Sequence, residues 1–276
     1  MSNGTVFSLV EDFGVKYTNL DGANHLIRTR QNLYTMTIDW TGSKYLGFSI
    51  TLDSFQRTVM LSMPGYISKV LQRFAPSLTV GANSPALYVS PTYGVGQQTP
   101  HFDVSTRLST TETTTLQEII GSLLYYSRGA DVTILPAVIH LSSLQAQPTQ
   151  EVLKVAYRVL AYCSRYPNNV LQYYACDMVL HIQSVASYLS RPGARSVAGA
   201  IFYLGHLNQP THINGSVHAI SSIIPAVVAS VAEAEYAALF QAGQEVVWLR
   251  QILRSLGCSQ LLTIILCDNK CAESIA

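Results

Sequence analysis

The alternation of apolar and polar positions changes period near residue 170. Ahead of it the pattern is mostly helical, and behind it the period falls to two. Residues 170–175, 178–184, 196–204 and 216–223 each alternate like strands, with Gly- and Pro-bearing turns between them. Residues 226–256 then carry the longest helical pattern of the chain. Ala232, Tyr236, Leu239, Ala242, Val246 and Leu249 fall near one stripe, and Gly257 ends the run. A further strand is expected at 263–267 and a helix start at 272–276.

Upstream, residues 116–128, 132–144 and 149–166 read as three helices, closed by Pro167-Asn168-Asn169. Residues 6–10 and 15–17 read as two strands about an acidic turn, Glu11-Asp12, with Gly14 close behind. Residues 22–34 have helical spacing, and 35–40 alternate like a strand. Residues 44–52 and 58–62 predict a hairpin about Asp53-Ser54-Phe55-Gln56. Pro64-Gly65 opens a helix over 66–74, with Ile67, Val70, Leu71 and Phe74 on one face. Residues 75–115 are rich in Pro, Gly, Ser and Thr and predict a long linker or an irregular wrap. The organisation expected is therefore 1–75, a linker at 76–115, a helical unit at 116–169 and a sheet-bearing unit at 170–276.

Composition sharpens this picture. Apolar residues make up 48% of the 276 and charged residues only 12%. Ordinary domains carry roughly 25% charge, so the chain reads as a piece of a larger assembly or a poorly soluble fragment. A net charge of +1 gives no global case for nucleic-acid binding. The local excess lies in residues 1–75, with seven Lys/Arg against five Asp/Glu. The five cysteines lack Cys-x-x-Cys spacing or histidine partners, which predicts reduced thiols in an intracellular protein, cytoplasmic or nuclear. Met1 to Val10 has no basic start followed by a long apolar run, so no signal peptide is expected. The apolar stretch 219–232 contains Pro225 and is too short to cross a bilayer.

The candidate chemistry sits at two places. Ser230-Val231-Ala232-Glu233-Ala234-Glu235-Tyr236-Ala237-Ala238-Leu239 puts two carboxylates on an apolar helix, and Leu266-Cys267-Asp268-Asn269 ends a strand in Asp-Asn. Either glutamate could face solvent on an amphipathic helix, or Glu235 could turn inward. Asp268 could be a turn residue, an N-cap of the last helix, or a metal ligand. The histidines share no metal-ligand spacing with the cysteines, and Ser184 and Ser187 have no His-Asp pair nearby in sequence. Asp177 reads as a turn residue. Gly94-Val95-Gly96 lacks the strand-before, helix-after setting of a phosphate loop. Lys44, Arg57, Lys69 and Arg73 cluster near the hairpin and the helix after it. They could meet phosphates or form a solvated face.

From residue 170 onward the motif order resembles the RNase H domain of copia-type long-terminal-repeat retrotransposons. The matching text is His181-Ile182-Gln183-Ser184-Val185-Ala186-Ser187-Tyr188-Leu189-Ser190, Arg195-Ser196-Val197-Ala198-Gly199, Ser221-Ser222-Ile223, Ala232-Glu233-Ala234-Glu235-Tyr236, Trp248-Leu249-Arg250 and Cys267-Asp268-Asn269. Upstream, Phe7-Ser8-Leu9-Val10-Glu11-Asp12-Phe13-Gly14-Val15 looks like the aspartate hairpin of a reverse transcriptase palm. Lys44-Tyr45-Leu46-Gly47 looks like the primer grip, and Met63-Pro64-Gly65-Tyr66 opens a segment similar to the thumb helix. Ile120-Gly121-Ser122-Leu123-Leu124-Tyr125-Tyr126 resembles the connection.

The resemblance implies a mixed α/β (α+β) chain: a remnant palm and thumb, a helical connection, and a truncated RNase H-like domain with a mixed sheet. It implies magnesium as cofactor, and RNA–DNA hybrid or DNA, or the rest of the polyprotein, as partners. Polymerase ligands would be Glu11 and Asp12, where the family pattern has two aspartates. The extra methylene of Glu11 displaces its carboxylate by about 1.5 Å, a shift that can cost on the order of 100-fold in rate. The earlier palm strand and the fingers are expected to be missing. Nuclease ligands would be Glu235 and Asp268, with Val185 where the pattern has an aspartate and a fourth carboxylate expected beyond Ala276. Nucleic-acid contacts would fall to Lys44, Tyr45, Lys69 and Arg73. The expected product is an impaired or inactive polymerase–nuclease fragment. The alternative is a non-catalytic module that binds nucleic acid or protein, domesticated or pseudogene-derived.

Overall fold

The computed structural model describes residues 5–9, 12–87, 100–208 and 213–275. The chain is mixed α and β, with seven α-helices and three sheets among those residues. Among the described residues no helix is long and apolar enough to cross a membrane.

A two-stranded antiparallel ladder joins β1 (Thr5–Leu9) to β2 (Asp12–Lys16). It is followed by α1 (Leu20–Gln31), capped by the Asn19 side chain, which accepts from the Asp21 N–H at 2.8 Å. The strand expected at 35–40 does not form. Asp39 instead gathers the chain into a turn. Its carboxylate accepts the N–H groups of Thr41, Ser43 and Lys44 at 2.9, 2.7 and 3.1 Å, along with both neighbouring hydroxyls. Those hydrogen bonds, led by the Thr41 hydroxyl, hold the Asp39 carboxyl far below the usual carboxylate range.

The second sheet is antiparallel, in the order β3 (Lys44–Tyr45), β4 (Phe48–Asp53), β5 (Thr58–Ser62) and β6 (Val170–Tyr174). The run 44–52, read as one strand, is two. Leu46 and Gly47 both take positive φ, 49° and 75°, and reverse the chain in a two-residue hairpin. β6 is a strand as expected, but it pairs with β5 from Thr58↔Tyr174 to Ser62↔Val170 and not with the strands that follow it. The sheet-bearing carboxy-terminal unit therefore starts its own ladder at the next strand.

Helices α2 (Tyr66–Phe74), α3 (Thr110–Gly129), α4 (Leu135–Ser143) and α5 (Gln150–Arg165) close one core. Ile67, Leu116, Ile119, Leu123, Tyr126, Ile134, Val138, Leu141, Val159 and Leu160 are all fully buried there. Helix α3 starts six residues ahead of the apolar pattern. Ser109 and Glu112 form a reciprocal capping box, which carries the helix through five threonines of low propensity. Thr113, Thr114 and Thr115 return their hydroxyls to carbonyls one turn back. A single 3₁₀ turn, Val132–Ile134, leads into α4.

The third sheet is mixed, in the order β10, β7, β8, β9. Its strands are β7 (Val179–Arg191), β8 (Arg195–Gly205), β9 (Ser216–Ile223) and β10 (Ile264–Cys267). β7 to β9 are antiparallel neighbours and β10 runs parallel to β7. Helix α6 (Val231–Ser255) packs across one face. Leu180, Ile182, Ala200 and Phe202 of the sheet meet Ala242, Val246, Leu249 and Leu253 of the helix. At the other end of the helix, Ala234 and Ala238 meet Ala198 and Ile224. The short helix α7 (Lys270–Ile275) follows β10.

The face of α6 differs from the expected stripe in its first turns. Ala234, Glu235 and Ala238 are buried, while Tyr236 is 44% exposed. Counting back from Ala242 by helical steps reaches either Leu239 and Tyr236 or Ala238 and Glu235. The sheet selects the second set, because alanines at 198, 234 and 238 let the two backbones come close.

Candidate metal centre

The centre is built where β7 and β10 lie side by side. Their parallel register runs from Ile264↔His181 to Cys267↔Ser184. In-register neighbours of a parallel pair project to the same face. Ser184 and Cys267 therefore share the face that Leu180 and Ile182 present to α6. Asp268 lies one residue past the end of β10. The cap of α7 is not Asp268 but Asn269, whose side-chain oxygen accepts the N–H groups of Cys271 and Ala272 at 3.0 Å each. Asp268 is left exposed with its carboxylate uncommitted to a cap.

Glu233 and Glu235, two residues apart, have opposite fates. Glu233 is exposed and belongs to the start of α6, where its N–H donates to Ser230 Oγ at 3.1 Å and its carboxylate accepts the Ala229 N–H at 2.8 Å. Glu235 turns inward, 4% exposed, and its Oε2 accepts the Ala186 N–H of β7 at 2.9 Å. Burial raises the Glu235 carboxyl above the ordinary glutamate value; the Ala186 hydrogen bond opposes this, and the nearby Asp268 charge adds to it.

Glu235, Cys267 and Asp268 each place one donor atom within 4.8 Å of the other two, the one such group of three among the described residues. Beside them in the strand register, Ser184 is 5% exposed and its hydroxyl has no hydrogen-bond partner among the described residues. Val185 lies between Ser184 and the N–H that holds Glu235. Its side chain is 51% exposed, and with Asp268 and Leu266 it lines a cavity of about 610 Å³. Leu135 and Pro136 of α4 close the far wall of that cavity. The centre thus has two carboxylates, a thiol and a buried hydroxyl, with the apolar Val185 side chain at the position where the resemblance in sequence led an aspartate to be expected.

The other expected site residues are not gathered here. Glu11 lies outside the described residues. Asp12 is exposed at the start of β2, and its Oδ2 accepts the Leu46 N–H at 3.1 Å, so the acidic hairpin touches the β3–β4 turn. Lys44 is exposed on β3 beside a half-buried Tyr45. Lys69 is exposed on α2. Arg73 is paired with Glu118 at 2.9 Å and lies over the Phe74 ring at 4.8 Å. His181 is fully buried against the Tyr203 ring. Asp177, expected as a turn residue, instead bonds across the chain, accepting the Leu207 N–H and pairing with His206.

Sequence reasoning missed two members, Cys267 and Ser184. The signal for Cys267 was its place next to Asp268 at a strand end. Ser184 was weighed only as a nucleophile, since its proximity to Cys267 comes from the register of two strands, with 83 positions between the paired residues.

No model of a known protein family matches the chain, and no solved structure matches it. Among curated proteins it is similar to the "Retrovirus-related Pol polyprotein from transposon TNT 1-94" of Nicotiana tabacum. The two are 24% identical over 243 residues, covering 84% of this chain and 17% of that polyprotein. The chain therefore spans about a sixth of the length of the relative it matches, a likeness that supports an origin in a retrotransposon Pol polyprotein.

Proposed function

We propose that this chain is a piece of a copia-type retrotransposon polyprotein, descended from an RNA-directed DNA polymerase with RNase H activity, and that its nuclease centre does not hydrolyse RNA. The mixed sheet crossed by α6, and the meeting of Glu235 with Asp268, support the RNase H-like reading. The contact between the Asp12 hairpin and the β3–β4 turn fits a palm hairpin lying against a primer grip.

The single observation that carries the inactive reading is Val185, half-exposed beside Asp268. Two-metal hydrolysis clamps the attacking and leaving oxygens between ions about 3.5–4 Å apart, which requires carboxylates that bridge and flank both ions. Magnesium demands near-octahedral oxygen coordination. Two carboxylates, a thiol and a valine do not fit a pair of magnesium ions. Residual magnesium binding would fall to Glu235 and Asp268 alone.

The test is hydrolysis of a labelled RNA–DNA hybrid in magnesium. The unaltered chain is expected to leave the hybrid intact. Magnesium-dependent cleavage that disappears in Glu235→Gln would overturn the reading. Val185→Asp supplies the missing carboxylate, so cleavage by that variant alone would localise the defect to one side chain. Salt-dependent binding of the hybrid without turnover would assign the non-catalytic binding role instead.

A further inference from the structure

We infer that Glu235, Cys267 and Asp268, with the Ser184 hydroxyl, form a site for one thiophilic divalent cation of the zinc class. This goes beyond the ancestry of the chain and holds whatever its descent. Three atoms no more than 4.8 Å apart all lie within about 2.8 Å of a common centre, by the geometry of a triangle. Zinc bonds to thiolate sulfur are about 2.3 Å and those to carboxylate oxygen about 2.0–2.2 Å. A contraction of under about 1 Å by three side chains closes the site, without moving the strands or the helix.

The chemistry of the donors selects the ion. One sulfur and two carboxylate oxygens suit zinc, cadmium or cobalt, whereas magnesium prefers all-oxygen surroundings and gives up its waters reluctantly. On binding, the Cys267 thiol loses its proton to solvent, and the thiolate and two carboxylates become three negative ligands around a dication. Val185 works in the same direction. By withholding a third carboxylate it removes a hard oxygen donor and leaves the thiol as a larger share of the donor set.

Ser184 is the independent observation. It is 95% buried, its Oγ has no partner among the described residues, and the strand register sets it beside Cys267 on the face toward Glu235. Buried hydroxyls are nearly always satisfied. A cation seated between the thiolate and the carboxylates supplies the missing partner, directly or through one bound water. Glu235 is also a buried carboxylate that makes no ion pair among the described residues. A buried anion of that kind calls for a counter-charge.

The experiment is titration of the reduced full chain with Co²⁺ as a spectroscopic stand-in. One equivalent is expected to produce a sulfur-to-cobalt charge-transfer band and the visible spectrum of tetrahedral cobalt. Zn²⁺ should displace it, and Mg²⁺ at about a thousandfold excess should not. Cys267→Ser removes the band, whereas Cys271→Ser, at the exposed neighbour on α7, retains it. Glu235→Gln and Asp268→Asn each weaken Zn²⁺ binding by roughly a hundredfold. A second readout needs no variant: saturating Zn²⁺ should protect Cys267 from alkylation, read residue by residue by mass spectrometry. Absence of the band, its survival in Cys267→Ser, equal competition by Mg²⁺, or an unprotected Cys267 would each overturn the proposal.

Discussion

The helical unit and the third sheet bury their surface in different ways. Around α3 the buried side chains are large and apolar, and they interlock from four helices. Between α6 and the third sheet many of the contacts are alanines, at 198, 200, 234, 238 and 242, and the buried set also includes Glu235 and Ser184. The first arrangement draws the most stability from each residue, since roughly 25 cal/mol accrues per Å² of apolar surface removed from water. The second gives up part of that gain to bring two backbones close and hold polar groups at a fixed place. The helical unit also buries polar groups, among them the Ser127 hydroxyl, the Cys163 thiol and Asp131. The Asp131 carboxylate accepts from Thr133 and Asn169, so it is satisfied within that unit.

The contrast can be broken most sharply at Leu123, fully buried in the helical core. Leu123→Ala should cost about 2–5 kcal/mol in denaturant unfolding, through lost transfer energy and a residual cavity. The same chemistry cannot be subtracted from the α6 interface, which is already small, so there the informative change is addition. Ala238→Leu should cost about 1–3 kcal/mol by overpacking against β8, and it should weaken Zn²⁺ binding by displacing Glu235. An unaffected melt in either variant would erase the distinction drawn between the two cores.

A smaller effect follows from Glu235. Its carboxyl is raised in the folded chain, so the folded state holds the proton more tightly than the unfolded state, whose value is near 4.5. Stability is therefore greatest below that unfolded value and falls as pH rises through the raised one. Glu235→Gln removes this slope, so the variant should gain in melting temperature relative to the parent at neutral pH and lose that gain in acid. Parallel pH profiles for the two chains would show that the carboxyl is not desolvated in solution. The smallest change is expected at Arg73. Its pairing with Glu118 is on the surface, and Arg73→Ala should shift stability by no more than about 1 kcal/mol.

Much of the architecture was legible because it rests on local chemistry. The Ile67, Val70, Leu71 and Phe74 spacing specifies α2, and Gly257 stops α6, since each depends on residues within a turn or two. The capping box at Ser109 and Glu112 was equally local, and only the threonine run that follows it obscured the start of α3. Residues 35–40 show the limit of period counting: alternation suggested a strand, but among the described residues no strand pairs with that segment.

The sequence by itself determined most of the helices and strands, the two carboxylates at 235 and 268, and the valine at 185. Only the tertiary structure decided that 170–174 joins the strand at 58–62, that Ala238 and Glu235 rather than Leu239 and Tyr236 face the sheet, and that Ser184 lies beside Cys267. Those outcomes are set by strand register and by which helix face can approach a sheet most closely. Both are properties of contacts between residues far apart in the chain, and no periodicity within either segment encodes them.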